Sequence, residues 1–184
     1  MPTARAEGDW TASPLYSVAV KKRRIMGIDP GSYFLGLGCV EYTDRTPRLI
    51  FAEVITAPKG LPLYSRFGLI LDKLRGRVAE LNPDEAVFED TFVGKNPKSA
   101  LYLGMARGLV ASVFLERKIP IFEYAPTAVK AAVAGNGRAD KEGVKKMVEI
   151  TLGSKIDLGL DATDALAVAI CHGSQRRIVG VLNQ

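Results

Sequence analysis

Three β-rich runs follow one another with no room for a helix between them: RRIMGID at 23–29, YFLGLGCVEY at 33–42 and RLIFAEVIT at 48–56. Connections this short join strands only as antiparallel neighbours, because a parallel crossover takes about a dozen residues or more. The period then changes. LYSRFGLILDKLRGRVAELN (63–82) places Phe67, Ile70, Leu71, Leu74, Val78 and Leu81 at helical spacing. EAVFEDTF (85–92) reads as a strand, SALYLGMARGLVASVFLERK (99–118) as an apolar helix rich in small residues, and PIFEYAP (120–126) as a strand stopped by proline. Helices are expected at 126–135, 141–153 and 161–173, the last two ended by Gly153 and Gly173. An antiparallel opening followed by α/β alternation gives an α/β fold with a mixed sheet and helices on its faces.

At 184 residues, 47% hydrophobic and 24% charged, the chain can bury one full core and is not a disordered protein. We divide it into a flexible leader at 1–22, a domain at 23–175 and a tail at 176–184. The leader lacks a continuous apolar segment of signal-peptide type, and no stretch comes near the roughly 18–20 apolar residues of a membrane helix. A net charge of +5 and a pI near 9.2 keep a nucleic-acid partner open without requiring one. Cys39 and Cys171 lie in apolar runs and read as buried thiols of a reducing cytoplasm. The single histidine, His172, leaves almost no scope for a Cys/His zinc site and reads as structural.

The acids are placed unusually. GIDPG (27–31) runs a hydrophobic strand straight into Asp29. Glu89 and Asp90 stand near the end of another strand. Asp161 and Asp164 share one face of an otherwise apolar helix. Each has an ordinary explanation: a turn residue at Asp29, an ion pair at Glu89, a helix cap at Asp161 and a dipole partner at Asp164. Together, hard oxygen ligands without His or Cys point to Mg²⁺ or Mn²⁺, two of which clamp the oxygens of a phosphodiester.

The segments GIDPG, FEDTFVGKNPKSALYLGMARG (88–108), YAPTAVKAAVAGNGRADKEGV (124–144) and DATDALAVAICH (161–172) resemble the RuvC family of bacterial Holliday-junction resolvases, within the RNase H-like nucleases. The likeness covers most of residues 24–173. It implies an RNase H-like mixed five-stranded sheet with helices on both faces. It also implies that Asp29, Glu89, Asp161 and Asp164 are the catalytic and metal-binding acids, holding two Mg²⁺ ions (or Mn²⁺). Position 161 varies in the family, and Asp90 stands as a neighbour. Lys130 and Lys141 match two basic residues near the family's cleft, and Phe92 matches an aromatic near the crossover point. Lys95, Lys98, Arg107, Arg138, Lys145 and Lys146 are further candidates for phosphate contacts. Departures are Tyr33-Phe34, where more polar residues are expected, the EDTF segment, and Thr163 in place of a usual alanine.

The implied activity is metal-assisted hydrolysis of two opposing strands of a four-way DNA junction, leaving 5′-phosphate and 3′-hydroxyl ends. The implied partners are junction DNA, a second copy of the chain meeting through helix 99–118, and a branch-migration helicase complex. No membrane is implied, and the expected location is the cytoplasm. Another RNase H-like nuclease acting on hybrids or single strands, or a junction-binding module that does not cut, remain as alternatives. An actin-like ATP-binding fold would need a second phosphate loop, which the chain does not show.

Overall fold

A computed structural model describes residues 22–44, 46–90 and 96–182. All of the expected leader except Lys22 lies outside them. The strands β1 (Arg23–Pro30), β2 (Phe34–Thr43) and β3 (Thr46–Thr56) form the expected antiparallel meander. Then come α1 (Leu63–Leu81), β4 (Glu85–Glu89), α2 (Pro97–Glu116), β5 (Ile121–Tyr124), α3 (Pro126–Ala134), α4 (Lys141–Leu152) and α5 (Leu160–Leu182). The sheet order is β3-β2-β1-β4-β5, with β4 parallel to both β1 and β5.

Strand alternation divides the core. Ile25, Val40 and Val87 pack with Leu166, Ile170, Val129 and Val148 of α3–α5 on one face. Met26, Ile28, Leu35 and Leu37 pack with Ile70, Leu74, Val110 and Phe114 of α1 and α2 on the other. Helices therefore cover both faces.

Three expectations change. The helix expected from 99 begins at Pro97, because the Asn96 side chain accepts from the Lys98 and Ser99 amides at 3.0 and 3.3 Å and caps the helix earlier. That helix also has the length and composition of a membrane span, contrary to the expectation that no stretch comes near one. It lies on the sheet, with Ala106, Val110, Val113 and Phe114 buried. Finally, α5 does not stop at Gly173 but runs on to Leu182, through most of the expected tail. A Cβ at position 173 would run into the ring of Tyr42, whose hydroxyl donates to the Ile170 carbonyl at 3.2 Å. Gly173 thus makes room for a tyrosine and is not a terminator.

Candidate active site

Sheet register brings the first two acids together. Ile28 pairs with Phe88 in the parallel β1–β4 ladder, so the next residues, Asp29 and Glu89, stand side by side at one end of the sheet. Asp29 alternates with Gly27 and Glu89 with Val87, which puts both carboxylates on the face that α5 covers.

Three glycines bring the other two acids down onto them. A Cβ at Gly27 would strike the Ala165 carbonyl, and one at Gly36 would strike the Asp161 carbonyl. At Gly38 it would lie 2.7 Å from the Leu166 amide nitrogen. Without side chains on this strip of β1 and β2, the backbone of α5 rests directly on the sheet. Gly36 is also the pairing partner of Asp29, so the Asp161 backbone sits over the residue beside Asp29. The sequence reading missed these glycines. Their signal was glycine at every second position, 36 and 38, inside a strand otherwise rich in apolar residues.

The resulting electrostatics are strained. Burial, and then the negative charges of Asp164, Asp161 and Glu89, push the Asp29 carboxyl up to about 6, with Lys141 pulling the other way. Glu89 is raised chiefly by burial and next by Asp164, opposed by Lys141 and Lys130. Lys141, the first residue of α4, gives its ammonium to Asp164 at 3.1 Å, and this bond holds its own pKa above the ordinary lysine value. The carboxylates feel one another without closing into a cage: among the described residues, no three Asp, Glu, His or Cys side chains converge as a ligand set. Unneutralised like charges keep apart.

A cleft of about 190 Å³ opens here, lined by Glu89, Asp164, Lys130 and Lys141 among others. Of the expected DNA-contacting residues, these two lysines line the cleft. Arg138 is exposed on the loop between α3 and α4, outside the cleft wall. Phe92 and Lys95 lie outside the described residues. His172 is buried, with its ring nitrogens 2.8 Å from the Tyr124 hydroxyl and 2.9 Å from a Glu85 carboxylate oxygen.

Arg107 differs from its expectation as a phosphate contact. One nitrogen donates to the Glu89 carbonyl at 2.7 Å, and another pairs with Glu123 at 2.8 Å. Its guanidinium also lies 5.2 Å from the centre of the Phe88 ring. The side chain is occupied in fixing the end of β4, and no sequence pattern announces that role. We expect Arg107→Met to slow single-turnover cleavage about 10- to 100-fold, the range for residues that orient ligands, with a smaller change in DNA affinity. Arg107→Lys should recover part of the rate, and equal losses in binding and rate would contradict a positioning role.

Comparison with known proteins agrees with this architecture. The family model for crossover junction endodeoxyribonuclease RuvC matches residues 25–172. The protein of that name from Chloroflexus aggregans is 44% identical over 150 residues, covering 81% of this chain and 92% of its own. Its counterpart from Porphyromonas gingivalis is 43% identical over 155 residues, covering 83% and 82%. The structure of Thermus thermophilus RuvC in complex with Holliday junction substrate is 33% identical, with a TM-score of 0.80, covering 85% of this chain and 96% of that one.

Proposed function

This chain belongs to the RuvC family of crossover junction endodeoxyribonucleases, and from that premise we propose that it resolves four-way DNA junctions at the cleft between Glu89 and Lys141. The observation that carries the assignment of the site is the gathering of Asp29, Glu89, Asp161 and Asp164 at one sheet end, where each influences the ionisation of Asp29.

The donor set fits hard divalent cations. It consists of carboxylates alone, and their crowding is the kind that a cation relieves. Two Mg²⁺ ions, or Mn²⁺, held by the four acids would supply Lewis-acid stabilisation of charge on the scissile phosphodiester. The chain's own groups do the rest. Asp29, whose carboxyl is pushed up to about 6 by burial and its acidic neighbours, must lose its proton before it can act as a ligand. Lys141 balances Asp164 in the free protein, and Lys130 lines the same cleft, where a DNA phosphate would meet both. Arg107 keeps the Glu89 backbone still.

Cutting two opposing strands of a two-fold junction calls for a two-fold dimer. The surface of α2 suits that role. Opposite its buried face, Leu101 and Leu115 are 61% and 64% exposed, and Gly104 and Gly108 between them face open space. We expect Leu101→Asp combined with Leu115→Asp to halve the mass in light scattering while the circular dichroism stays that of the folded chain. Paired nicking should then be lost. A double variant that remains dimeric would remove α2 as the interface. The family resemblance adds a branch-migration helicase complex as partner and the cytoplasm as location.

The deciding experiment incubates a labelled mobile four-way junction, a linear duplex and an RNA–DNA hybrid with Mg²⁺, Mn²⁺ or EDTA. Metal-dependent nicks at symmetric positions in opposing junction strands are the expected result. Preferential cutting of the hybrid would keep the acids and discard the junction.

A further inference from the structure

Arg66, on α1, is buried to 4% exposure, and its Nε and Nη1 are sealed from solvent with no hydrogen-bond partner. A sealed guanidinium ordinarily has a carboxylate or several carbonyls to meet it. This one lies flat against an aromatic ring instead: its Cζ is 3.6 Å from the centre of the Tyr33 ring.

Tyr33 belongs to the short turn that follows Asp29. The turn is pinned on both sides, by the Gly31 amide donating to the Phe34 carbonyl at 2.8 Å and the Ala57 amide donating to the Tyr33 carbonyl at 3.0 Å. Tyr33 and its neighbour Phe34 are 44% and 47% exposed, two large rings left in water at the sheet end that carries the acids. Phe34 shares a strand face with Gly36, the residue beneath Asp161, so it stands on the acids' side of the sheet. Tyr33 stands on the α1 side, backed by Arg66.

A ring with a cation on one face and water on the other accepts a second flat group readily. Its orientation is already fixed, so little freedom is lost on binding. Unstacked nucleobases are the flat groups that aromatic and guanidinium planes collect, and the charge behind the ring favours a phosphate backbone. Tyr33 lies four residues beyond Asp29, at the same end of the sheet. We propose that this sheet end presents two stacking faces to unpaired bases of the DNA that enters the cleft, Phe34 on the acids' side and Tyr33, backed by Arg66, on the α1 side. The inference rests on reading the cleft as a DNA-cutting site. The family resemblance leads one to expect more polar residues at these positions.

The test measures binding in EDTA to junctions carrying 2-aminopurine at the positions flanking the crossover, using wild type, Tyr33→Ser, Phe34→Ser and Arg66→Met. Stacking in the wild-type complex should quench the fluorophore. Each serine variant should weaken junction binding by about 5- to 150-fold, the range for loss of one stacked base, while affinity for fully paired duplex stays unchanged. Arg66→Met should weaken binding in the same way with an unchanged or higher melting temperature, since it removes a buried guanidinium two of whose nitrogens lack a hydrogen-bond partner and keeps its volume. Serine variants that bind, quench and cut like wild type would overturn the stacking faces, as would equal losses on duplex and junction. A wild type that quenches yet never cuts a junction in Mg²⁺ or Mn²⁺ would overturn the cleavage reading and leave the stacking faces standing.

Discussion

Asp29→Asn should make the metal-free protein more stable and abolish its cleavage. The stability half follows from the direction of one pKa. In the fold, Asp29 is raised from an ordinary 3.8 to about 6, by burial first and then by the charges of Asp164, Asp161 and Glu89. Below the lower value both folded and unfolded chains carry the proton. Between the two values only the folded chain holds it, so stability falls as pH rises through that window. Above about 6 the full cost is present. It is on the order of 2–3 kcal/mol, from 1.36 kcal/mol per unit, reduced for the group's partial exposure. Asparagine has no charge to desolvate and escapes this loss. Melting curves from pH 4 to 8 in EDTA should therefore fall for wild type and fall less for the variant, which keeps the raised Glu89. Added Mg²⁺ should raise the wild-type curve above pH 6 and leave the variant unmoved. The catalytic half should exceed 10³-fold in rate, the several-kcal/mol scale of metal-ion charge stabilisation, with junction binding retained. A variant less stable than wild type at neutral pH would show that the acids are not held against their preference.

Gly36→Ala should do as much damage with a single methyl group. The new Cβ would strike the Asp161 carbonyl, which belongs to a helix backbone and cannot swing aside as a flexible side chain can. Either the helix lifts or the strand buckles, at about 3 kcal/mol, toward the upper end for overpacked cores. Lifting moves Asp161 and Asp164 away from Asp29, so cleavage should fall even under conditions where the variant remains folded. Gly76→Ala is the control. Gly76 lies within α1, and its Cβ would meet nothing within 4 Å. Alanine there should add up to about 1 kcal/mol of stability by helix propensity and leave cleavage alone. An unchanged melting temperature and rate for Gly36→Ala would mean that contact between α5 and the sheet does not set the site.

Much of this architecture was readable from local pattern. Short links between β-rich runs required an antiparallel meander, and the spacing of Phe67, Ile70, Leu74, Val78 and Leu81 marked the buried face of α1. The acids stood out because a carboxylate ending an apolar strand, or repeated on an apolar helix, needs a reason. Sequence could not show the contacts made across the fold. Gly173 looked like a helix stop because glycine often is one, and only the ring of Tyr42, far earlier in the chain, explains it. Arg107 looked like a free surface cation, yet its partners are a carbonyl on β4 and a carboxylate on β5. Arg66 sat among the polar positions of an amphipathic helix, and its burial depends on a tyrosine from the β1–β2 turn. Each of these is a pairing between distant segments, which no window of sequence contains.

The last described helix has a further consequence for the life of the chain. Asp29 and Glu89 are made early, but Asp161 and Asp164 arrive on α5, after every other described element. The same helix supplies Leu166, Ala167, Val168 and Ile170 to one whole face of the core. A chain still on the ribosome, or broken before residue 161, holds half the acids and an uncovered sheet. The proposed cutting centre and one face of the core thus wait on the same helix, so a partly synthesised copy should be unable to cut.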